Sequence, residues 1–412
     1  MVQRARMPRT YDLVLFGATG FTGRLVAEYL LANGSHEGPL RWALAGRDTR
    51  RLEALRSDIG AGNEVAVLTA DAADPAAMRE LAAQTRVMLT TVGPYQRLGE
   101  PLVTACAQAG TDCVDLCGEP LWMAQMIPVL QAPAQASGAR IVFSCGFDSV
   151  PFDLGVVFLQ HEMHKRFDAP ALEVRGRVKL IKGSMSGGTA ASALATYEAM
   201  GKDKALAALM DNPFALTPGF EGPEQADDAQ ASFDEWAQAW SAPFVMSAIN
   251  TKNVHRTHAL RDWPWGHEFR YSERELCGEG EAGWARAKSK ARQFSLSNLL
   301  LKSSATRALL RRFALPKPGE GPSARQRERG RYELHFTGQT ASGQRLTVRV
   351  CGDRDPGYGS TCQIISQAAL CLLRDVNAQA TPGGVWTAGA AMGMALQRRL
   401  QVHAGLTFEV MP

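Results

Sequence analysis

The sequence predicts an α/β protein, with an N-terminal Rossmann-type doubly wound parallel sheet followed by a second α+β domain. Three observations predict it. Short apolar runs alternate with amphipathic helical stretches from Tyr11 to Ser144, the pattern of repeated βαβ units. The first run, Leu13–Phe16, leads directly into glycines at 17, 20 and 23, and a helical pattern then continues to a stop at Asn33-Gly34. Beyond residue 155 the alternation gives way to longer helices and strands with one exposed face. A chain of 412 residues has enough apolar content for two cores. The expected division is 1–150 for the nucleotide-binding sheet and 151–375 for the α+β domain, with 376–412 as a C-terminal helix returning to the first domain.

The first strand and its turn set the site. Gly17 permits a tight turn, Gly20 lets backbone approach a pyrophosphate, and Gly23 lets the helix pack closely. Ala18, Thr19, Phe21 and Thr22 complete the loop. Unpaired N–H groups at the helix start, with the helix dipole behind them, suit an anion. The second strand, Leu40–Ala45, ends in Gly46-Arg47-Asp48. Arg47 stands where such folds read the adenosine ribose, and a guanidinium there favours the 2′-phosphate of NADP over the free hydroxyl of NAD. Asp48 reads as a helix cap. Asp71, after strand Val65–Leu68, either touches the adenine edge or caps its loop. Asp74-Pro75 starts a helix. Strand Val87–Val92 ends in Gly93-Pro94-Tyr95, a turn at a carboxyl end where Val92, Gly93 and Pro94 would lie along a cofactor. A helix Leu98–Ala109 follows, then strand Cys113–Leu116. The helix Pro120–Ala136 contains Pro128 and Pro133, which should kink or shorten it. Strand Arg140–Ser144 opens into SCGFDSVPFDL, either a substrate-facing loop or a crossover between domains.

In the second half, Leu172–Leu180 alternates like a strand. Ser184–Thr189 opens an Ala-rich helix and is either a second anion or substrate contact or a plain helix entry. Glu221–Glu235 reads as an acidic excursion, Phe244–Asn250 and Glu268–Ser272 as strands, and Pro316–Arg331 as a linker. Arg331–Thr337 and Gln344–Cys351 form a hairpin pattern. Ser360–Leu373 is helical, a glycine-rich stretch Thr381–Gly393 runs into another helix, and Leu406–Val410 is strand-like.

Charge is unevenly placed. The net charge is +4, yet residues 286–331 hold 13 Lys/Arg against two Asp/Glu, a local +11, so the remainder carries −7. This excludes a nucleic-acid-binding body. Within that segment leucines and Phe294 interleave with Lys302, Arg307, Arg311 and Arg312. The pattern fits a domain helix with a solvated face, or a contact with a membrane surface or an acidic carrier. The eight cysteines lack a metal or disulfide spacing and read as reduced core thiols. His161 and His164 lack the spacing of a zinc helix, so no metal is expected. The first ten residues lack the apolar stretch of a signal peptide, and no run is long enough to span a bilayer. A cytoplasmic location follows, with a peripheral membrane contact left open by the basic segment.

These motifs together resemble the saccharopine dehydrogenase-like oxidoreductases, and within them the trans-acting enoyl reductases of actinobacterial lipid synthesis. The resemblance spans nearly the whole chain. It rests on GATGFTG (17–23), ALAGRD (43–48), LTTVGPY (89–95), GTDCVDLCGE (110–119), CGFDSVPFDLG (145–155), NTKNVHR (250–256), FRYSE (269–273), PKPGEGPS (316–323) and GGVWTAGAAMG (383–393). It implies an NADP(H)-binding first domain, a central α+β domain, and NADPH-dependent reduction of a C=C bond in a fatty-acyl or polyketide intermediate, free or carrier-linked. Phe152 stands where relatives often carry a small polar residue, which predicts a different substrate. A C–N or C=O bond as the target, or NADP binding without catalysis, are the alternatives. An amino-acid substrate with several carboxylates should demand convergent Arg or Lys residues, whereas the basic cluster here is mixed with leucines. A homodimer is compatible with this reading.

The chemistry of enoyl reduction places negative charge on a thioester oxygen and requires a proton at the α-carbon. Tyr95, Asp148 and Ser149 are the candidate catalytic groups, at the exits of two strands. Tyr271 and His255 are further candidates from the second domain.

Overall fold

The computed structural model describes residues 9–183, 187–226, 229–313 and 321–412. Two seven-stranded sheets organise the chain. The first contains β1 (Tyr11–Phe16), β2 (Trp42–Gly46), β3 (Ala66–Thr69), β4 (Thr85–Thr90), β5 (Asp112–Val114) and β6 (Arg140–Val142). Their order is 3-2-1-4-5-6, all parallel. The direction of winding reverses between β1 and β4, and ligands of open α/β sheets bind outside the strand carboxyl ends at that point.

Alternate residues of each strand feed opposite cores. Leu13 and Leu15 of β1 join helices Phe21–Asn33 and Thr361–Arg374, whereas Val14 and Phe16 join helices Pro75–Ala83, Glu100–Ala109 and Pro120–Ser137. Both faces are therefore dry, as a parallel sheet requires. The helix Pro120–Ser137 is neither broken nor shortened at Pro128 and Pro133. Both prolines stand on its outer side, where the carbonyls they free can bond water. Predicted caps recur in place: Asp48 accepts from Arg51 N–H (3.1 Å) and Asp74 from Ala76 N–H (2.8 Å).

The second sheet comprises β7 (Glu173–Lys182), β8 (Ser232–Asp234), β9 (Ala239–Pro243), β10 (Arg270–Gly278), β11 (Arg331–Gln339) and β12 (Arg345–Gly352). The β7 and β10 strands are parallel, and the remaining pairs are antiparallel. The last segment supplies more than the expected helix. The β13 strand (Gly384–Trp386) extends the first sheet beside β6, helix Gly393–His403 follows, and β14 (Leu406–Val410) closes the second sheet beside β12.

Several expectations are corrected. Phe244–Asn250 is not a strand: β9 stops at Pro243 and helix Ser247–Leu260 begins. Phe244 and Ile249 are buried while Val245 is exposed, and the helix packs on β10 and helix Val150–Phe167, so tertiary packing overrides the local strand pattern. Part of the expected linker is helical, Ala324–Arg329, with a capping box between Ser323 and Gln326. Within that linker, 316–320 lies outside the described residues. So do 184–186 of Ser184–Thr189, 227–228 of the acidic excursion, and the side chains of Arg311 and Arg312. Phe152 does not face a ligand. It is buried among Phe147, Phe244 and Phe336 at ring distances of 5.7, 5.7 and 6.3 Å. All eight cysteines are free, seven of them buried.

Candidate active site

A cavity of about 1220 Å³ opens along the carboxyl ends of the first sheet and continues beneath helix Gly187–Lys202. It is built in two arms. The first arm follows the glycine turn. Gly17 adopts φ +88°, a left-handed conformation that favours glycine. A Cβ at Gly23 would lie 2.1 Å from Gly17 O, so only glycine lets the helix start so close to the turn. Helix Phe21–Asn33 begins without a side-chain cap. Its first N–H groups therefore have no side-chain cap where Thr19, Gly20, Phe21, Thr22 and Gly23 line the cavity.

At the far end of this arm, Arg47 and Arg51 line the opening. Arg47 is exposed and makes no ion pair or hydrogen bond among the described residues. Such an uncommitted guanidinium beside a pyrophosphate cradle fits a ribose 2′-phosphate. Asp71 also lines the wall, and its carboxylate accepts from Ala73 N–H (3.0 Å). Val92, Gly93 and Pro94 lie on the opposite side. Ala18 is the exception among the predicted loop residues. It is fully buried, its N–H donates to Ala45 O, and it faces the core. The uncapped helix start, the left-handed Gly17 and the free Arg47 together fit NADP(H).

The second arm is mostly apolar. Ala191 and Met200 come from helix Gly187–Lys202, Met210 from helix Lys204–Asp211, Met246 and Ile249 from the start of helix Ser247–Leu260, and Phe294 and Leu301 from helix Gly280–Lys302. Tyr95 and Asp148 also line the cavity. Tyr95 is buried, its Oη accepts from Leu116 N–H (2.9 Å), and its own hydrogen has no acceptor among the described residues. Burial pushes this phenol well above its ordinary range, and nearby Asp115 adds to the effect. Asp148 is half-buried and has no hydrogen bond or ion pair among the described residues. Desolvation alone raises its carboxyl to about 6. Ser149 touches the cavity, but its hydroxyl is committed: it donates to Asn250 Oδ1 (3.2 Å) and accepts from Asn253 Nδ2 (2.9 Å).

The two second-domain candidates do not reach the cavity. Tyr271 donates to Glu273 (2.9 Å), and both are buried behind Asn250. His255 is packed against Phe214 with ring centres 4.6 Å apart, and burial lowers it to about 3, so it is neutral. His255 lies on helix Ser247–Leu260 and Tyr271 on β10, and only the packing shows both turned inward.

Three further residues were not singled out from sequence. Glu119 is fully buried and accepts from Tyr95 N–H (2.9 Å), Gln96 N–H (2.9 Å) and Ser192 Oγ–H (2.7 Å). It thus holds the short helix Tyr95–Leu98 and ties it to helix Gly187–Lys202. Removing one carboxylate oxygen while keeping the side chain's length should loosen that helix without unfolding the sheet. Glu119→Gln is expected to lower kcat about tenfold and to leave NADPH affinity within about twofold, since a charge-assisted hydrogen bond contributes roughly 1.5–3 kcal/mol. Stopped-flow turnover and a fluorescence titration check the two halves. Behind Ser149, Arg256 donates to Leu216 O and Val385 O (both 2.7 Å), and Asp153 accepts from Gly389 N–H (2.7 Å). These bonds join the 145–155, 250–256 and 383–393 stretches into one support for the loop that carries Asp148.

Among the described residues no group of three or more His, Cys, Asp or Glu could hold a metal ion. No helix among them is long and apolar enough to cross a membrane.

Comparison with known proteins agrees with this geometry. The sequence model of the saccharopine dehydrogenase NADP-binding domain matches residues 13–142. A Mycobacterium tuberculosis protein, provisionally named a trans-acting enoyl reductase, is 40% identical over 98% of each chain. A trans-acting enoyl reductase of Mycobacterium ulcerans is 36% identical, covering 95% of this chain and 96% of its own. Apo saccharopine dehydrogenase (L-Glu forming) of Saccharomyces cerevisiae superposes with a TM-score of 0.55 at 14% identity, over 98% of this chain and 100% of its own, and so shares the fold. With a nucleotide sheet, an uncapped phosphate cradle and full-length relatives in agreement, the chain belongs to the saccharopine dehydrogenase-like family, in the branch that contains the trans-acting enoyl reductases, and is an NADP(H)-dependent oxidoreductase.

Proposed function

We propose that this oxidoreductase reduces a C=C bond conjugated to a thioester in a fatty-acyl or polyketide intermediate. The observation that carries the reading is the apolar second arm, which runs on from the cofactor cradle between Met200, Met210, Met246, Phe294 and Leu301. An acyl chain matches such a wall, whereas an amino acid with several carboxylates would need several converging cations, and among the described residues the single Lys302 stands beside these apolar side chains. The names of the mycobacterial relatives support the same reaction.

NADPH, when bound, supplies a hydride. The remaining work falls to the protein. Tyr95 donates its free hydroxyl hydrogen to the thioester oxygen, where negative charge gathers. Leu116 N–H donates to Tyr95 Oη and so polarises that hydroxyl. Asp148, neutral below about 6, holds the proton destined for the α-carbon. Ser149 positions the Asp148 loop through Asn250 and Asn253. Helix Gly187–Lys202 covers the site and keeps water out.

The test is NADPH oxidation, followed by absorbance, with short and long enoyl thioesters beside a ketone and an imine. Turnover of the long enoyl thioester in preference to the others is the expected result. Preference for the imine or ketone would reassign the reaction to a C–N or C=O bond, and NADPH binding without turnover of any of the four, repeated with a carrier-linked enoyl substrate, would leave a binding protein.

A further inference from the structure

We propose that helices Gly280–Lys302 and Ser304–Phe313 seat the protein on an anionic lipid surface, so that the acyl chain enters the apolar arm from the membrane. The inference rests on the acyl reading above, but its test needs no turnover, so either can fail alone. Helix Gly280–Lys302 has 23 residues, about 34 Å at 1.5 Å per residue. Its inner face packs at Gly283 and Ala287 against the second sheet and then reaches the cavity through Phe294, Asn298 and Leu301. Asn298 Oδ1 accepts from Tyr197 Oη–H (2.9 Å), which fixes the helix beside the cover helix.

The outer face is unlike an ordinary solvated face. Leu296 and Leu299 are 56% and 64% exposed, with Leu300 beside them, and Leu309 of helix Ser304–Phe313 is 60% exposed. A leucine at 299 points out while Leu301, two positions on, lines the cavity. One helix therefore carries an apolar path from outside to inside. Lys288 and Arg292 stand on the outer side of the same helix, two turns and one turn before Leu296. Arg307 is not part of this surface charge: it donates to Leu301 O (2.7 Å) and Lys302 O (2.9 Å), capping the helix end.

The charge selects the occupant. Lys288 and Arg292 are exposed on this face, so a second copy laid face to face would meet like charge. Leucines flanked by bases, along a helix lying flat, match the acyl boundary and headgroup layer of a bilayer with anionic lipids. An acidic carrier protein would meet the same charge. Three leucines more than half exposed along these helices, however, match the acyl boundary of a bilayer better than the polar surface of a carrier.

The experiment is vesicle flotation of the full-length protein with phosphatidylcholine alone, and with phosphatidylcholine mixed with phosphatidylglycerol. Binding to the mixed vesicles is expected to exceed binding to the neutral ones about tenfold. Leu299→Gln with Leu309→Gln should lower it about tenfold, and Lys288→Glu with Arg292→Glu should remove the anionic preference. NADPH affinity, measured by fluorescence, should stay unchanged in both pairs and reports that they fold. Wild-type protein that stays unbound with both vesicle types would overturn the proposal, as would binding that survives both pairs of substitutions. Capture of an acyl carrier protein lost in the Lys288→Glu, Arg292→Glu pair, without vesicle binding, would assign the surface to that partner instead.

Discussion

Replacing Asp148 with Asn is expected to lower kcat for the enoyl thioester about 100-fold, the usual scale of a lost general acid. The isosteric amide keeps the side chain's shape but cannot hand over a proton. Wild-type kcat/KM should be highest below about 6 and fall as the pH rises through that value, because burial holds the carboxyl neutral up to there. In the Asn variant that descending limb should vanish from the residual activity. The sign on stability runs the same way. The folded carboxyl titrates near 6 rather than 3.8. The burial cost is therefore absent below the ordinary value, grows between the two, and is fully present above about 6. Asp148→Asn should thus raise Tm slightly at pH 8 and leave it nearly unchanged at pH 3.5, a pattern that general damage to the fold would not give. A variant that kept both its rate and its pH limb would remove Asp148 from the reaction and leave Tyr95 as the remaining candidate.

Arg47→Ala is expected to weaken NADPH binding about 100-fold while NADH binding changes by less than about threefold. Paired, charge-assisted hydrogen bonds to a phosphate contribute roughly 1.5–3 kcal/mol. The effect should be that large because Arg47 has no competing partner among the described residues. Arg51 lines the same opening and can retain part of the attraction, so the double variant Arg47→Ala, Arg51→Ala should lose more than either alone. Fluorescence titration with both nucleotides is the measurement. A parallel loss for NADPH and NADH would place Arg47 on the shared adenosine half of the cofactor instead of the 2′-phosphate.

The supports of the site differ in how far they could be read in advance. Gly17, Gly20, Gly23, Arg47, Asp48 and Asp74-Pro75 act within a few residues of themselves. Their turns and caps are local, and local chemistry is written in adjacent letters. Ala18 sits in the same motif, yet it points to the core because consecutive residues of a strand-to-turn segment face opposite ways. The doubly wound parallel sheet was likewise legible in the βαβ alternation, while the order of its strands came from the structure.

What the sequence by itself determined was therefore the fold class, the nucleotide cradle and its preference for a phosphorylated ribose, because each depends on short-range backbone geometry and residue type. The tertiary structure alone decided which polar groups were committed. Ser149 is occupied by Asn250 and Asn253, about a hundred residues away along the chain. His255 and Tyr271 are sealed behind the site, Phe152 is in a core, and Glu119 clamps the Tyr95 helix. It also decided that Phe244–Asn250 leads into a helix and that β13 joins the first sheet across a gap of 241 residues from β6. The physical reason is common to all of these. A buried hydrogen bond or a dry contact is made with whatever the fold brings near, and its partner's position in the chain is set by the global topology rather than by the local pattern.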